Sequence, residues 1–165
     1  MRLLVTRAEC GVYLSVSVFG TDEVFNRYIR EAQMFDLKPL MCEGVYQDIM
    51  SASPVGDYAL LLSGGSYEHE GRRYEFAGLG AVIAYFAYAR YIFTGHQVDT
   101  AYGVVRKVYN DAEVVSREER RDLRGLYMQQ AQALWMDCER YMRAVGLCGA
   151  QDKSVRRRTI RMKLI

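Results

Sequence analysis

One stretch constrains this chain more than any other. Ala77 to Phe93 reads Ala-Gly-Leu-Gly-Ala-Val-Ile-Ala-Tyr-Phe-Ala-Tyr-Ala-Arg-Tyr-Ile-Phe and carries a single charge, Arg90. It mixes small residues with aromatics and is too long for one buried strand, so it reads as a helix apolar on nearly every face. Such a helix needs neighbours all round it. A membrane span is the other physical solution. The stretch falls just short of the roughly 18–20 residues a span takes, holds Arg90 near its C-terminal end, and has no basic flank or second span. The expectation is a core helix that touches no membrane.

The neighbours come from the rest of the sequence. With 165 residues, the chain makes about one domain that can bury roughly 70% of its unfolded surface. Val12, Leu14, Val16 and Val18 alternate with Tyr13, Ser15 and Ser17, a strand-like, extended opening. Gly20-Thr21-Asp22 breaks it, with Thr21 or Asp22 as N-cap. Glu23–Phe35 reads as a helix, with Val24, Tyr28 and Ala32 at four-residue spacing and Phe25 and Ile29 beside them. Pro39 fits the first turn of a second helix running to about Met50, capped by Asp36, with Leu40, Val45, Ile49 and Met50 on its apolar side. Ser51–Gly56 is a turn, and Asp57–Leu62 a short helix stopped by Gly64-Gly65.

Ser66–Phe76 has the pattern of a β-hairpin turning at Glu70-Gly71, with Tyr67, His69, Tyr74 and Phe76 sharing one face. His96–Val115 is irregular apart from a possible strand at Val104–Val108. Ser116-Arg117-Glu118-Glu119 is a capping box. It opens a long helix with apolar residues at Leu123, Leu126, Tyr127, Leu134, Trp135, Cys138, Tyr141, Met142 and Val145, ended by Gly146 and Gly149. The fold class is therefore mainly α, a helical bundle with a small β-hairpin and extended N- and C-terminal segments. The domain spans 1–150, with a basic arm at 151–165. There is no internal repeat and no low-complexity segment.

The chemistry-bearing residues assemble no active site. Cys10, Cys42, Cys138 and Cys148 form no Cys-x-x-Cys pair and lie far in sequence from both histidines, which argues against zinc. Cys42 and Cys138 fall in helical apolar patterns and read as buried thiols. Met1–Val5 is too short for a secretory signal, so the expectation is a reducing, intracellular origin. His69 and His96 belong to no nucleophile or metal-ligand spacing. Gly64-Gly65-Ser66 lacks the lysine of a phosphate loop and reads as a turn. Glu68, Glu70 and Glu75 read as the solvated face of the hairpin. Glu118, Glu119 and Asp122 sit where a helix dipole favours carboxylates. No enzyme, cofactor or metal is expected. Thirteen tyrosines suit wet interfaces and core edges.

Charge is unevenly placed. The whole chain is +2, but Gln151–Ile165 holds Lys153, Arg156, Arg157, Arg158, Arg161 and Lys163 against Asp152 alone, a net +5 that leaves −3 for the body. Ile160, Met162 and Leu164 alternate with Arg161 and Lys163, a strand pattern with no local partner, which favours pairing with another chain. The arm can be read as a solubilising tail or as a phosphate binder, although no aromatic is interleaved there to stack on bases. The favoured reading is docking onto an acidic patch of a partner subunit through Arg156, Arg157, Arg158, Arg161 and Lys163, anchored by Ile160, Met162 and Leu164.

Certain motifs carry a resemblance. Arg30-Glu31-Ala32-Gln33 leading into Asp36-Leu37-Lys38-Pro39-Leu40, then Val45-Tyr46-Gln47-Asp48-Ile49, resembles the opening of head–tail connector (adaptor, or ring) proteins of tailed bacteriophages. The similarity continues at Tyr74-Glu75-Phe76-Ala77-Gly78-Leu79, is closest at Ala84-Tyr85-Phe86-Ala87-Tyr88-Ala89-Arg90-Tyr91-Ile92, and persists at Asp99-Thr100-Ala101-Tyr102-Gly103-Val104-Val105 and at Val115-Ser116. It spans Asp22 to Ala144 and looks most like the version in crAss-like and related phages of gut Bacteroidales. The opening Met1–Phe19 and the arginine-rich arm lie outside it.

The resemblance implies a mostly helical virion protein without catalytic activity, assembled in the host cytoplasm and resident at the head–tail junction. It implies a homo-oligomeric ring of about twelve subunits under the portal, closed by head-to-tail interfaces. The ring would extend the DNA channel and carry the next tail component. The implied partners are the portal, other tail or ring proteins, and packaged DNA by non-specific contact. On this expectation the hairpin Tyr67–Phe76 and the segment Thr100–Val115 make ring or axial contacts, and the arm docks onto the portal or an adjoining ring. The alternative is a small nucleic-acid-binding protein acting through Arg156–Lys163.

Overall fold

A computed structural model describes residues 2–15, 22–51, 54–95, 97–100, 103–106 and 115–147, of which 97–100 and 103–106 are described by their backbone. In chain order the elements are α1 (Arg7–Tyr13), α2 (Asp22–Glu31), a π-helix (Ala32–Leu37), a 3₁₀ turn (Lys38–Leu40), α3 (Glu43–Ser51) and α4 (Asp57–Ser63). They are followed by β1 (Gly65–His69), β2 (Arg72–Phe76), α5 (Gly78–Thr94), β3 (Gln97–Thr100), β4 (Gly103–Arg106) and α6 (Arg117–Ala144). The fold is mainly helical with small antiparallel hairpins, as the periodicities require.

The apolar stretch is α5, and it is the axis of the molecule. Leu79, Ala81, Val82, Ile83, Ala84, Phe86, Ala87 and Ala89 are buried. Burial of each larger apolar side chain stabilises by roughly 1.5–3 kcal/mol. α1, α2, the π-helix and α4 pack on α5, and α6 packs on it most extensively. α6 runs antiparallel to it. The Tyr88 ring meets Tyr127 edge-on at 5.0 Å, and the Arg124 guanidinium lies 5.1 Å from the Phe93 ring centre. Gly80 lets neighbours approach closely, since a Cβ there would sit 3.3 Å from the Leu62 carbonyl oxygen and from a Val5 methyl. Among the described residues no helix is long and apolar enough to cross a membrane.

The opening departs from its strand-like pattern. Arg7–Tyr13 is helical because Thr6 and Glu9 form a capping box: the Glu9 amide donates to the Thr6 hydroxyl (3.2 Å) and the Thr6 amide to the Glu9 carboxylate (2.6 Å). Cys10 points inward and Val12 outward, so the alternation from Val12 does not mark a strand at its start. Its remainder, residues 16–19, lies outside the described residues.

The helix read as Glu23–Phe35 begins at Asp22 and widens into the π-helix at Ala32. The wider turn puts Ala32, Gln33 and Leu37 inside and Met34 and Phe35 outside. Gln33 is fully buried and holds the N-terminal segment by both ends of its amide. It accepts from the Leu4 N–H (2.9 Å) and donates to the Arg2 carbonyl (3.0 Å). Phe25, Tyr28, Ile29 and Ala32 form the buried stripe, while Val24 is exposed. Asp36 is not a helix cap. Its carboxylate accepts two hydrogen bonds from Arg90, at 2.6 and 3.0 Å, and this ion pair pins the π-helix to α5. The helix read from Pro39 to Met50 is accordingly two pieces, the 3₁₀ turn containing Pro39 and α3, separated by an extended Met41.

The expected hairpin is β1–β2, in register Tyr67↔Tyr74 and Ser66↔Glu75. Glu70 (φ 51°) and Gly71 (φ 70°) both take the left-handed conformation that a two-residue hairpin turn needs. A second hairpin, β3–β4, pairs Val98 with Val105 where the pattern reads as irregular. The strand expected at Val104–Val108 is observed within β4, and residues 107–108 lie outside the described residues. The capping box at Ser116 is formed as expected, and α6 follows to Ala144.

Candidate functional site

The hairpin β1–β2 stands on the C-terminal half of α6 through a stack of rings. Phe76 lies parallel to Tyr141 at 4.6 Å, Tyr67 meets Tyr141 edge-on at 5.0 Å, and Tyr67 stacks on Tyr74 at 5.4 Å. The Tyr141 hydroxyl donates to the Asp57 carboxylate (3.1 Å) at the start of α4. Burial, and then the neighbouring Asp57, push that phenol up to about 12. Two glycines close the hairpin at its root. Gly64 (φ 77°) precedes β1 and Gly78 (φ 78°) follows β2, and a Cβ on Gly78 would lie 2.3 Å from the Gly64 nitrogen.

An open groove of about 550 Å³ runs along this root, lined by Gly65, Ser66, Glu75, Phe76, Ala77 and Asp137. Asp137 is paired with Arg140 at 3.0 Å. The outer face of the hairpin is polar: Glu68 lies opposite Arg73, and Arg73 donates to Ser66 (3.1 Å). Glu68, Glu70 and Glu75 are exposed, as a solvated face requires. Both hairpins are two-stranded, so among the described residues each leaves its outer edges unpaired.

The N-terminal half of α6 is organised differently. Glu119 closes the capping box, and its hydrogen bonds with the Ser116 amide and hydroxyl hold its carboxyl below the ordinary range. Leu123 and Leu126, which the spacing assigns to the core, are exposed. Arg120 is instead inside, 7% exposed, with no hydrogen-bond partner for its Nη1. It lies on the stripe Arg120, Arg124, Tyr127 and Ala131 that faces α5, and that spacing was the signal for its burial. Across the molecule, Arg90 lies 5.5 Å from the centre of the exposed Phe35 ring.

The residues expected to bind a partner, Arg156, Arg157, Arg158, Ile160, Arg161, Met162, Lys163 and Leu164, lie outside the described residues, as do His96 and Cys148. His69 is exposed beside Glu70 at 4.0 Å. Cys138 is buried as expected, Cys42 is half-buried, and Cys10 is also buried. Burial pushes the Cys10 and Cys138 thiols up to about 12, so neither supplies a thiolate at neutral pH. Among the described residues no group of three His, Cys, Asp or Glu side chains could hold a metal ion. The sequence reading missed the Asp36–Arg90 pair and the outward turn of Met34 and Phe35. What the arrangement supplies is a rigid body with a projecting hairpin, open strand edges and separated apolar patches.

A family model described as a family of unknown function, DUF6712, matches residues 37–146, well over half of the chain. No curated protein and no solved structure matches.

Proposed function

The chain belongs to the DUF6712 family, whose function is unknown, and we propose, from its resemblance to phage connectors and from its fold, that it is a structural virion subunit, a head–tail connector that assembles beside copies of itself into a ring. The observation that carries this reading is the pair of small hairpins on a helical body, with strand edges left unpaired among the described residues. Open edges are templates for pairing with another chain. The ring stack on Tyr141 holds one of them rigidly, which lowers the entropy lost when it docks. The resemblance to phage connectors is strongest at Ala84–Ile92, on the helix that sets the shape of the whole body.

On this reading the protein acts by geometry. The helices fix the subunit's outline, the hairpins make ring or axial contacts, and the basic arm docks onto an acidic surface of the portal or of an adjoining ring. Negative-stain imaging of the protein alone and mixed with its portal tests this. Annular particles are expected in at least one sample, and monomers in both would overturn the reading. The nucleic-acid alternative rests on the +5 charge of residues 151–165. It predicts salt-sensitive duplex binding that disappears when the arm is removed.

A further inference from the structure

We infer that the C-terminal arm returns to its own hairpin and extends it as a third strand, with Ile160–Leu164 laid along a free edge of β1–β2 beside the groove at its root. The free edges follow from the register. His69 and Arg72 flank the two-residue turn and exchange both ladder hydrogen bonds. Alternation then makes Tyr67↔Tyr74 and Gly65↔Phe76 hydrogen-bonded pairs, and Glu68↔Arg73 and Ser66↔Glu75 non-hydrogen-bonded ones. In the latter, each backbone N–H and C=O points away from the partner strand. Ser66 and Glu68 therefore offer theirs at the outer edge of β1, and Arg73 and Glu75 at the outer edge of β2, with no further strand paired there among the described residues. Ser66 and Glu75 also line the groove.

The hairpin is two-faced with period two, and so is the arm. Tyr67, Tyr74 and Phe76 lie on the face that rests on Tyr141, and Tyr67 and Tyr74 are only half-buried. Ser66, Glu68, Arg73 and Glu75 lie on the other face. In an extended arm Ile160, Met162 and Leu164 fall on one face and Arg161 and Lys163 on the other. A third strand thus sets its apolar residues beside the tyrosines and its cations beside Glu68 and Glu75, and a slip of one residue reverses both matches. The charges near the groove are Glu68, Glu75 and Asp137 against Arg73 and Arg140, an excess of one acid. Glu70 and Arg72 balance at the tip. Arg73 donates to Ser66 and Arg140 is paired with Asp137, whereas Glu68 and Glu75 have no hydrogen bond or ion pair among the described residues. The arm brings a net +5.

Reach decides whose arm it is. Leu147 caps the end of α6, its N–H donating to the Met142 carbonyl. Asp137, in the groove wall, lies only about 15 Å back along the helix. Residues 148–159 span up to roughly 40 Å when extended, so Ile160 reaches the groove of its own chain. A tether of that length holds its end at roughly millimolar effective concentration, and the arm meets its own hairpin before a neighbour's. This docking lies within one chain and holds whether or not copies assemble into a ring. It covers an edge that is otherwise a template for pairing. On the ring reading that edge is a ring contact, and the arm keeps it covered until a neighbour displaces it.

Amide hydrogen exchange of the full chain, read residue by residue at two dilute concentrations, tests this. The amides of Ser66 and Glu68, or those of Arg73 and Glu75, are expected to exchange at least about tenfold more slowly in the wild type than when proline breaks the arm, and the protected pair names the strand that is extended. Arg161→Pro and Met162→Pro are compared, because only one of two adjacent residues donates toward the hairpin, and one of the two is expected to abolish the protection. Tyr67 and Tyr74, bonded within the hairpin, should stay protected in both variants. Glu75→Lys should reduce the edge protection about threefold. The protection should be equal at both concentrations. Edge amides that exchange equally fast in the wild type and both proline variants overturn the docked arm. So does protection that appears only at the higher concentration, which means a neighbour's arm, or only after portal or duplex DNA is added. A lack of annular particles sinks the ring reading and leaves the docked arm standing.

Discussion

The two halves of α6 carry similar apolar spacing and meet different fates. From Ala131 to Met142 the helix is enclosed by α5 and the hairpin, and Ala131, Trp135, Cys138, Tyr141 and Met142 are all buried. In the first turns of α6, Leu123 and Leu126 are left outside while Arg120 is drawn in. The difference lies in the neighbours. α5 reaches this half too, at Tyr127 and Arg124, but covers only the Arg120–Arg124–Tyr127 side of the helix, and the aromatic hairpin covers only the far half. Burial along a long helix thus follows which of its faces the partners cover as well as the hydropathy of its residues.

That contrast can be tested with substitutions of decreasing effect. Tyr141→Ala removes the ring under Phe76 and Tyr67 and should destabilise the chain by about 3–5 kcal/mol in denaturant unfolding. A loss below about 1 kcal/mol would mean that the hairpin does not anchor the C-terminal half. Arg120→Met removes a buried cation with an unsatisfied nitrogen and should stabilise the isolated chain by about 1–2 kcal/mol. A large loss instead would show that Arg120 has a partner in solution.

Ser116→Ala should cost about 1 kcal/mol and loosen the first turn of α6, read as faster amide exchange at Glu119 and Arg120, with the hairpin half unchanged. Acid should act in the same direction. The Glu119 carboxyl is lowered in the folded chain, so its contribution is present above the ordinary value of 4.5 and is lost as pH falls through the lower folded value. Amide shifts in the first turn should titrate there. Leu126→Ser should change monomer stability by no more than about 0.5 kcal/mol. A greater loss would mean that this flank is covered within the single chain.

What the sequence disclosed was mostly local. The capping box at Ser116, the stop at Gly64, the Glu70-Gly71 turn and the all-round apolar character of Ala77–Phe93 each depend on a few neighbouring residues, and each is legible without tertiary structure. Longer-range features were hidden. Asp36 has the right chemistry for an N-cap, but its partner Arg90 lies 54 residues away and claims the carboxylate. The π-helix has no local signature, and Gln33 looks like any surface amide until Arg2 and Leu4 arrive to bond with it. Leu123 and Leu126 fit a broad apolar spacing, but α5 covers the Arg120–Arg124–Tyr127 side of the helix and the hairpin stands on its far half, which leaves both leucines outside. The arm, read as a partner-binding strand from its charge and alternation, lies outside the described residues.

The crossing of Gly64 and Gly78 has one more consequence. Because the chain leaves the helical body and returns to it at the same point, the span between them is a clasp whose length is uncoupled from the architecture beneath. Beyond the rings that rest on Tyr141, its tip can be lengthened, shortened or exchanged without moving a helix. Natural variation and engineering could therefore both retune what this protein touches by rewriting those few residues at the tip.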